Sequence, residues 1–234
     1  MNLQHIDIGL LVFKAIAFLF AISIHESAHA WMANRCGDPT ARMLGRISLN
    51  PIRHIDPVGT LLLPAIGLVS GGAVFGWAKP TPVDPRNFPE PMRDDILTSV
   101  AGPVSNFLVA AAATLILLLI SASSTLGHTT VTALARSGSF AVSSSGGDSI
   151  LVPASIFFYE VIFINVLLAV FNLIPIPPLD GSHVLRHFLS DTARRAYDSI
   201  GIFALFALVF FGGRLLGLLI SPFLNLFDRI LLSV

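Results

Sequence analysis

The chain alternates between long apolar stretches and short polar stretches that carry arginine. Three apolar stretches, over about 8–34, 95–120 and 150–175, are each long enough for the ~20 residues that a helix needs to cross a bilayer. A further apolar stretch after residue 200 is interrupted at 212–214, which predicts one or two C-terminal helices. The pattern predicts an all-α polytopic membrane protein with a three-helix core.

A fourth apolar region, over about 58–83, is broken by Pro64 and several glycines. Irregular backbone inside a membrane is tolerated only where protein or a water-filled cavity covers it. We therefore expect this region to enter the membrane and return to the same side, as a re-entrant helix or β-hairpin.

The arginines indicate the orientation of the spans. The stretches 34–57, 79–95 and 181–197 all carry Arg or Lys, whereas 121–149 has only Arg136 and, being rich in Ser, Thr and Gly, predicts a flexible loop. Cytoplasmic loops are enriched in Lys and Arg. If 58–83 does not cross, the three basic stretches share one side, and we expect that side to be the cytoplasmic face of the cell (inner) membrane.

The composition agrees with a membrane protein. The chain is 54% hydrophobic and 12% charged, and a soluble domain carries about 25% charged residues. Its 14 basic and 14 acidic residues cancel, which argues against nucleic-acid binding. A single cysteine, Cys36, excludes an internal disulfide and a multi-cysteine metal site. The length suits one membrane-embedded domain over 1–234.

The first apolar stretch contains the pattern H-E-x-x-H at 25–29. On a helix, His25 and His29 lie one turn apart on one face, where two imidazoles can bind one Zn²⁺ with Glu26 beside them as general base. Two buried structural histidines are the alternative, but ionisable residues in a spanning helix are costly and usually functional. The motif predicts one zinc ion per chain and hydrolysis within a membrane.

The third zinc ligand is sought downstream, because a catalytic zinc usually has three protein ligands and one open position. Glu160 lies inside the third span, and Asp180 follows the end of that span. The first and third spans run in the same direction, so Asp180 lies on the side of the histidines. Glu160 is displaced toward the outer half of the membrane, because ten residues of helix rise about 15 Å. Parity therefore predicts Asp180 as the third ligand. A simple turn residue is the alternative, since Asp-Gly pairs favour turns.

Three motifs in this order resemble those of the site-2 protease family, which are intramembrane zinc metalloproteases. They are H-E-x-x-H in an apolar helix, Gly-Pro-x-x-Asn at 102–106, and Asn-x-x-Pro…Leu-Asp-Gly at 172–181. The chain is similar to the compact prokaryotic form without PDZ or CBS domains. The resemblance implies that His25, His29 and Asp180 bind zinc, that Glu26 is the catalytic base, and that a re-entrant hairpin lies between the first two core helices.

The resemblance also places Asn106 and Asn172 at positions that handle the substrate backbone or the oxyanion. Helix packing is the alternative for Asn106, and capping of a helix break is the alternative for Asn172. Phe75, Gly76 and Trp77 are predicted to bind substrate, because a re-entrant strand edge can hold an unwound segment by strand addition.

The expected partners are a transmembrane protein substrate and the lipid bilayer. Two other functions are considered: a catalytically silent membrane binding protein, and a metal transporter using the same ligands. A silent homologue would typically have lost Glu26 or a ligand, and a transporter would more often show internal repeats. Outside the motifs, His54 and His183 are interpreted as solvated interfacial histidines, and Glu160 as pairing with a polar group or facing outer water.

Overall fold

The computed structural model describes residues 7–62, 76–143 and 149–233. Three helices in it are apolar and long enough to cross a membrane: α1 (Ile8–Arg35), α3 (Pro91–Ser123) and α5 (Leu151–Asn172). The other helices are α2 (Thr40–Met43), α4 (Thr125–Ser143), α6 (Asp180–Arg186), α7 (Asp191–Phe211) and α8 (Gly213–Leu231). Within the described ranges there is no β-strand. The prediction of an all-α polytopic membrane protein is confirmed.

The long helices follow from uninterrupted apolar sequence. α1 has 28 residues. At 1.5 Å per residue it is about 42 Å long, which exceeds the ~30 Å hydrocarbon core. A helix satisfies its backbone hydrogen bonds internally, which an apolar solvent requires.

Helix α4 replaces most of the flexible loop predicted over 121–149, so that prediction is wrong there. Its hydroxyls bond to the helix's own carbonyl groups, as when Thr130 Oγ1 donates to Leu126 O at 2.7 Å. Apolar residues at helical spacing are buried in the same helix, including Val131 and Leu134. Tertiary burial stabilises a helix that a Ser/Thr-rich composition does not indicate.

The C-terminal region forms α7 and α8, as predicted. Phe203–Phe211 and Gly213–Leu231 are bent by 79° across a short break, and together they are apolar enough for one broken span or a re-entrant pair.

Half of the predicted re-entrant element over 58–83 lies outside the described residues, which omit 63–75 and therefore Phe75. Its described flanks are a π-helical turn at Pro57–Leu62 and an irregular segment over 76–84. The hairpin stays a prediction.

Contacts divide the chain into two compact units. The first comprises Met1–Ala21, Asn106–Leu168 and Leu219–Val234, and its buried residues include the apolar cluster of Leu10, Leu134, Val142, Val152 and Ile156. The second comprises Ile22–Ser105 and Ala169–Leu218, and it contains the H-E-x-x-H motif and α6. A single domain over 1–234 stays a prediction.

Replacing Leu134 with alanine should lower the free energy of unfolding by about 2–5 kcal/mol, because it opens a cavity in the buried cluster. Thermal unfolding in detergent micelles measures the loss. Leu126→Ala in the same helix is the matched control, since Leu126 is 43% exposed and Leu134 is 0% exposed. Equal losses for the two variants would contradict the burial of α4 through Leu134.

Candidate active site

Three ligand atoms converge in the second unit, from His25, His29 and Asp180. The two Nε2 atoms lie 3.0 Å apart, and Asp180 Oδ2 lies 3.1 Å from His25 Nε2 and 3.3 Å from His29 Nε2. Both imidazoles are buried. In the part of the chain that the structure describes, no other group of three His, Cys, Asp or Glu side chains brings its ligand atoms within such range.

The tautomer of His29 suits this cluster for binding a cation. His29 Nδ1 lies 2.7 Å from the Thr98 carbonyl oxygen, which can only accept, so Nδ1 carries the proton and Nε2 presents a lone pair to the cluster. Asp180 Oδ2 is buried and has no hydrogen-bond partner among the described residues. Tetrahedral ligands about 2.05 Å from a Zn²⁺ lie roughly 3.3 Å apart. The donor set and its spacing therefore fit a zinc ion.

The charge of Asp180 suits this site. Burial raises the pKa of its carboxyl group, but imidazolium charge on His29 and His25 and hydrogen bonds from these rings lower that pKa by more, to well below its usual range. With neutral imidazoles, a bound cation supplies the positive charge that has the same effect. Asp180 is therefore an anion at neutral pH and can neutralise part of a cation's charge.

Helix α3 approaches the imidazoles through Gly102. A Cβ at this position would lie 2.4 Å from His29 Nε2 and 2.6 Å from His25 Cε1. The next residue, Pro103, has no N–H and so removes one helical hydrogen bond from this turn of α3. Gly102, the first residue of the Gly-Pro pair that the resemblance singled out, thus places helix backbone directly against the two histidines.

Gly181 has a similar role for the third side chain. A Cβ at Gly181 would lie 2.3 Å from the carbonyl oxygen of Leu173, just past the end of α5. The lack of a side chain lets the first turn of α6 pack on that backbone. Asp180 is the first residue of α6, and the packing fixes it beside the imidazoles.

Glu26 follows His25 in α1 and is held by Thr81. The Thr81 backbone N–H donates to Glu26 Oε2 at 2.9 Å, and the Thr81 hydroxyl donates to the same oxygen at 2.7 Å. Sequence reasoning missed Thr81 as a site residue. The signal that could have found it is a hydroxyl residue between two prolines in the predicted re-entrant segment.

Asn106 belongs to the first unit, where its side chain is buried. Its Nδ2 donates to Asn165 Oδ1 at 2.8 Å and to Ala21 O at 3.3 Å. These bonds match the helix-packing alternative. The oxyanion role stays a prediction, and it requires Nδ2 to give up one of these hydrogen bonds in favour of the oxyanion. Asn172 is the last residue of α5, and its substrate role also stays a prediction.

The described part of the substrate-binding prediction is Gly76 and Trp77. Trp77 is partly exposed, its N–H donates to Gly59 O at 3.1 Å, and its carbonyl accepts from Thr60 Oγ1 at 2.7 Å. Lys79 N donates to His54 O at 2.9 Å. The segment is thus docked along one side onto residues 54–60.

The remaining polar candidates lie outside the cluster. The interpretation of His54 as a solvated histidine is wrong: it is fully buried and its Nε2 lies 2.7 Å from Ser48 O. His183 is partly exposed, with Nδ1 3.5 Å from Asp95 Oδ1. Glu160 is buried in α5, and its Oε2 has no hydrogen-bond partner in the described ranges, so the expectation that it faces water is wrong.

Comparisons with known proteins identify relatives of this chain. The model of peptidase family M50 matches residues 13–212. YwhC of Bacillus subtilis, whose name describes it as an inferred zinc metalloprotease, is 36% identical over 187 residues. These residues are 80% of this chain and 74% of YwhC. Two proteins named Rip2, also described as inferred zinc metalloproteases, are each 28% identical to this chain. The one from Mycobacterium tuberculosis matches over 93% of this chain and 70% of its own length, and the one from Mycolicibacterium smegmatis over 81% and 62%.

No solved structure matches the chain significantly. The family match covers the H-E-x-x-H motif and both later motifs, so it confirms the resemblance found in the sequence. The chain therefore belongs to peptidase family M50, the site-2 protease family, and is a multi-pass membrane zinc metalloendopeptidase.

Proposed function

We propose that this protein hydrolyses a peptide bond in or near a transmembrane segment of another membrane protein, using one Zn²⁺ held by His25, His29 and Asp180. The observation that carries the proposal is the convergence of three ligand atoms within 3.0–3.3 Å of one another, one of them a buried carboxylate oxygen without a hydrogen-bond partner in the described chain. All three side chains belong to one compact unit.

A bound Zn²⁺ supplies the Lewis acidity that makes water nucleophilic at neutral pH and polarises the scissile carbonyl. Glu26 is the general base: it takes the proton of the attacking water and returns it to the leaving amide nitrogen. Its Oε2 is occupied by two hydrogen bonds from Thr81. Oε1 takes part in no hydrogen bond with the described residues and is the oxygen that exchanges the proton.

The substrate is an unwound membrane segment, because a helix has no backbone groups free for a protease to hold. The hydrogen bonds of Trp77 and Lys79 both face residues 54–60. In an extended chain successive residues face opposite sides, so the backbone of Gly76 and Ala78 faces away from those residues. This edge, with Phe75 and Asn172, is the proposed substrate-binding surface, and prolines at 80 and 82 limit its donors.

We also propose that the active site faces the cytoplasmic side of the cell membrane and that residues 1–234 act as one membrane-embedded domain. Support for the sidedness comes from the three arginine-bearing stretches and from the parity that placed Asp180 beside the histidines.

Glu26→Gln should reduce cleavage by about 10²–10⁴-fold, because it removes the general base. Zinc content should stay at wild-type level, since Glu26 is not a proposed ligand. The assay uses a panel of synthetic single-span peptides, each with an Asn-Gly or Gly-Pro pair inside its apolar stretch, reconstituted with the enzyme in phosphatidylethanolamine–phosphatidylglycerol vesicles. Mass spectrometry detects the products. Wild-type cleavage by the variant would contradict the proposed mechanism.

Asp180→Asn should lower the zinc content of the purified protein well below one ion per chain, because it removes the anionic ligand. His183→Asn is the matched control on the same helix, and it should keep its zinc. Elemental analysis after dialysis measures both. Full zinc occupancy in Asp180→Asn would rule out Asp180 as the third ligand.

Gly102→Ala should also weaken zinc binding, because its Cβ would lie 2.4 Å from His29 Nε2 and displace the imidazole. Gly217→Ala in α8 is the control, since a Cβ there meets nothing within 4 Å. Zinc dissociation constants from competition with a chelator should differ by at least tenfold between these variants. Equal affinities would show that α3 does not confine the histidines.

A further inference from the structure

Thr81 lies between Pro80 and Pro82, and this setting fixes its conformation. Each proline ring holds φ near −65°, and a residue that precedes proline is restricted to extended backbone. Neither proline has an N–H, so Thr81 supplies the single backbone donor of this tripeptide. That donor points at Glu26 Oε2, 2.9 Å away.

The side chain of Thr81 points the same way. Its hydroxyl lies 2.7 Å from Glu26 Oε2 and 3.0 Å from the main-chain carbonyl oxygen of Glu26. Hydrogen bonds to a carboxylate are charge-assisted and stronger than those between neutral groups. Two donors from one residue therefore hold one carboxylate oxygen, Oε2, and make no hydrogen bond to the other, Oε1.

The segment that carries Thr81 is itself anchored on both sides. The buried guanidinium of Arg46 donates to the carbonyl oxygens of Lys79 and Pro80, the latter at 2.9 Å. After Thr81, Asp84 N donates to the buried carboxylate of Asp38 at 2.7 Å. The position of the two donors is thus fixed by contacts that do not involve Glu26.

We propose that Thr81 is a positioning residue for the general base. It holds Glu26 Oε2 so that Oε1 is aimed at the proton it must accept. The inference rests on the proposed function, in which Glu26 is that base. Thr81 acts through Glu26: among the described residues its hydrogen bonds go to Glu26 and to none of the three proposed zinc ligands.

The kinetic test replaces Thr81 with valine, which has the same shape and lacks the hydroxyl. With the single-span peptides in vesicles, kcat should fall about 10- to 100-fold, because a misplaced catalytic group loses that order of rate. KM and zinc content should not change. Thr81→Ser, which keeps the hydroxyl, should restore most of the loss in kcat.

Thr114→Val is the matched control for this substitution. Thr114 is buried, whereas Thr81 is partly buried, and the Thr114 hydroxyl bonds to Ala110 O of its own helix at 2.9 Å. Its kcat should equal that of the wild type.

A second measurement does not depend on activity. In metal-free protein, Thr81→Val should lower the apparent melting temperature by about 3 °C through loss of the hydrogen bond. In a Glu26→Ala background the same substitution should have a clearly smaller effect, because the hydroxyl can then bond only to the main-chain carbonyl oxygen of residue 26. Equal shifts in both backgrounds would show that Thr81 and Glu26 do not interact, and would overturn the inference.

The outcomes separate this inference from the proposed function. If Glu26→Gln abolishes cleavage but Thr81→Val keeps a wild-type kcat, Thr81 is not a positioning residue and the proposed function stands. A rise in KM with unchanged kcat would make it a substrate-binding residue and would also overturn the inference. If Glu26→Gln cleaves like the wild type, the proposed function fails, whereas the melting experiment still decides the contact.

Discussion

Burial of ionisable side chains among apolar helices is the constraint on which this structure depends. A charged or unpaired polar group costs several kcal/mol in such surroundings. The ligand atoms of His25, His29 and Asp180 meet within 3.0–3.3 Å, and the Zn²⁺ that we propose there would offset the cost for all three. This requires α1, α3 and α6 to approach one another closely. Other contacts in the second unit bring these three helices together.

Two glycines make the approach possible, and each does so by the absence of a side chain. Gly102 places the backbone of α3 against both imidazoles, and Gly181 places α6 against the end of α5. The Thr98 carbonyl then fixes the tautomer of His29. Backbone groups thus shape the site as much as side chains do, which suits a membrane interior where polar side chains are few.

The segment over 76–84 joins the two parts of the proposed mechanism. Its start lies along residues 54–60 and is the proposed edge for an unwound substrate, and Thr81 holds Glu26, the proposed general base. Buried Arg46 and Asp38 anchor it, so both parts depend on the same docked stretch. Asn106, by contrast, is held by packing contacts, since its amide donates a hydrogen bond to Asn165 inside the first unit.

The sequence by itself determined the three spans, because uninterrupted apolar runs of this length have one stable form in a bilayer. It also determined the pairing of His25 with His29, which is local helical geometry. It predicted Asp180 rather than Glu160 as the third ligand from the parity of membrane crossings. Only the tertiary structure decided α4, the burial of His54 and the roles of Gly102 and Thr81. These depend on contacts between residues far apart in the chain, such as Glu26 and Thr81, which are separated by 55 positions. Local periodicity and composition carry no information about such contacts.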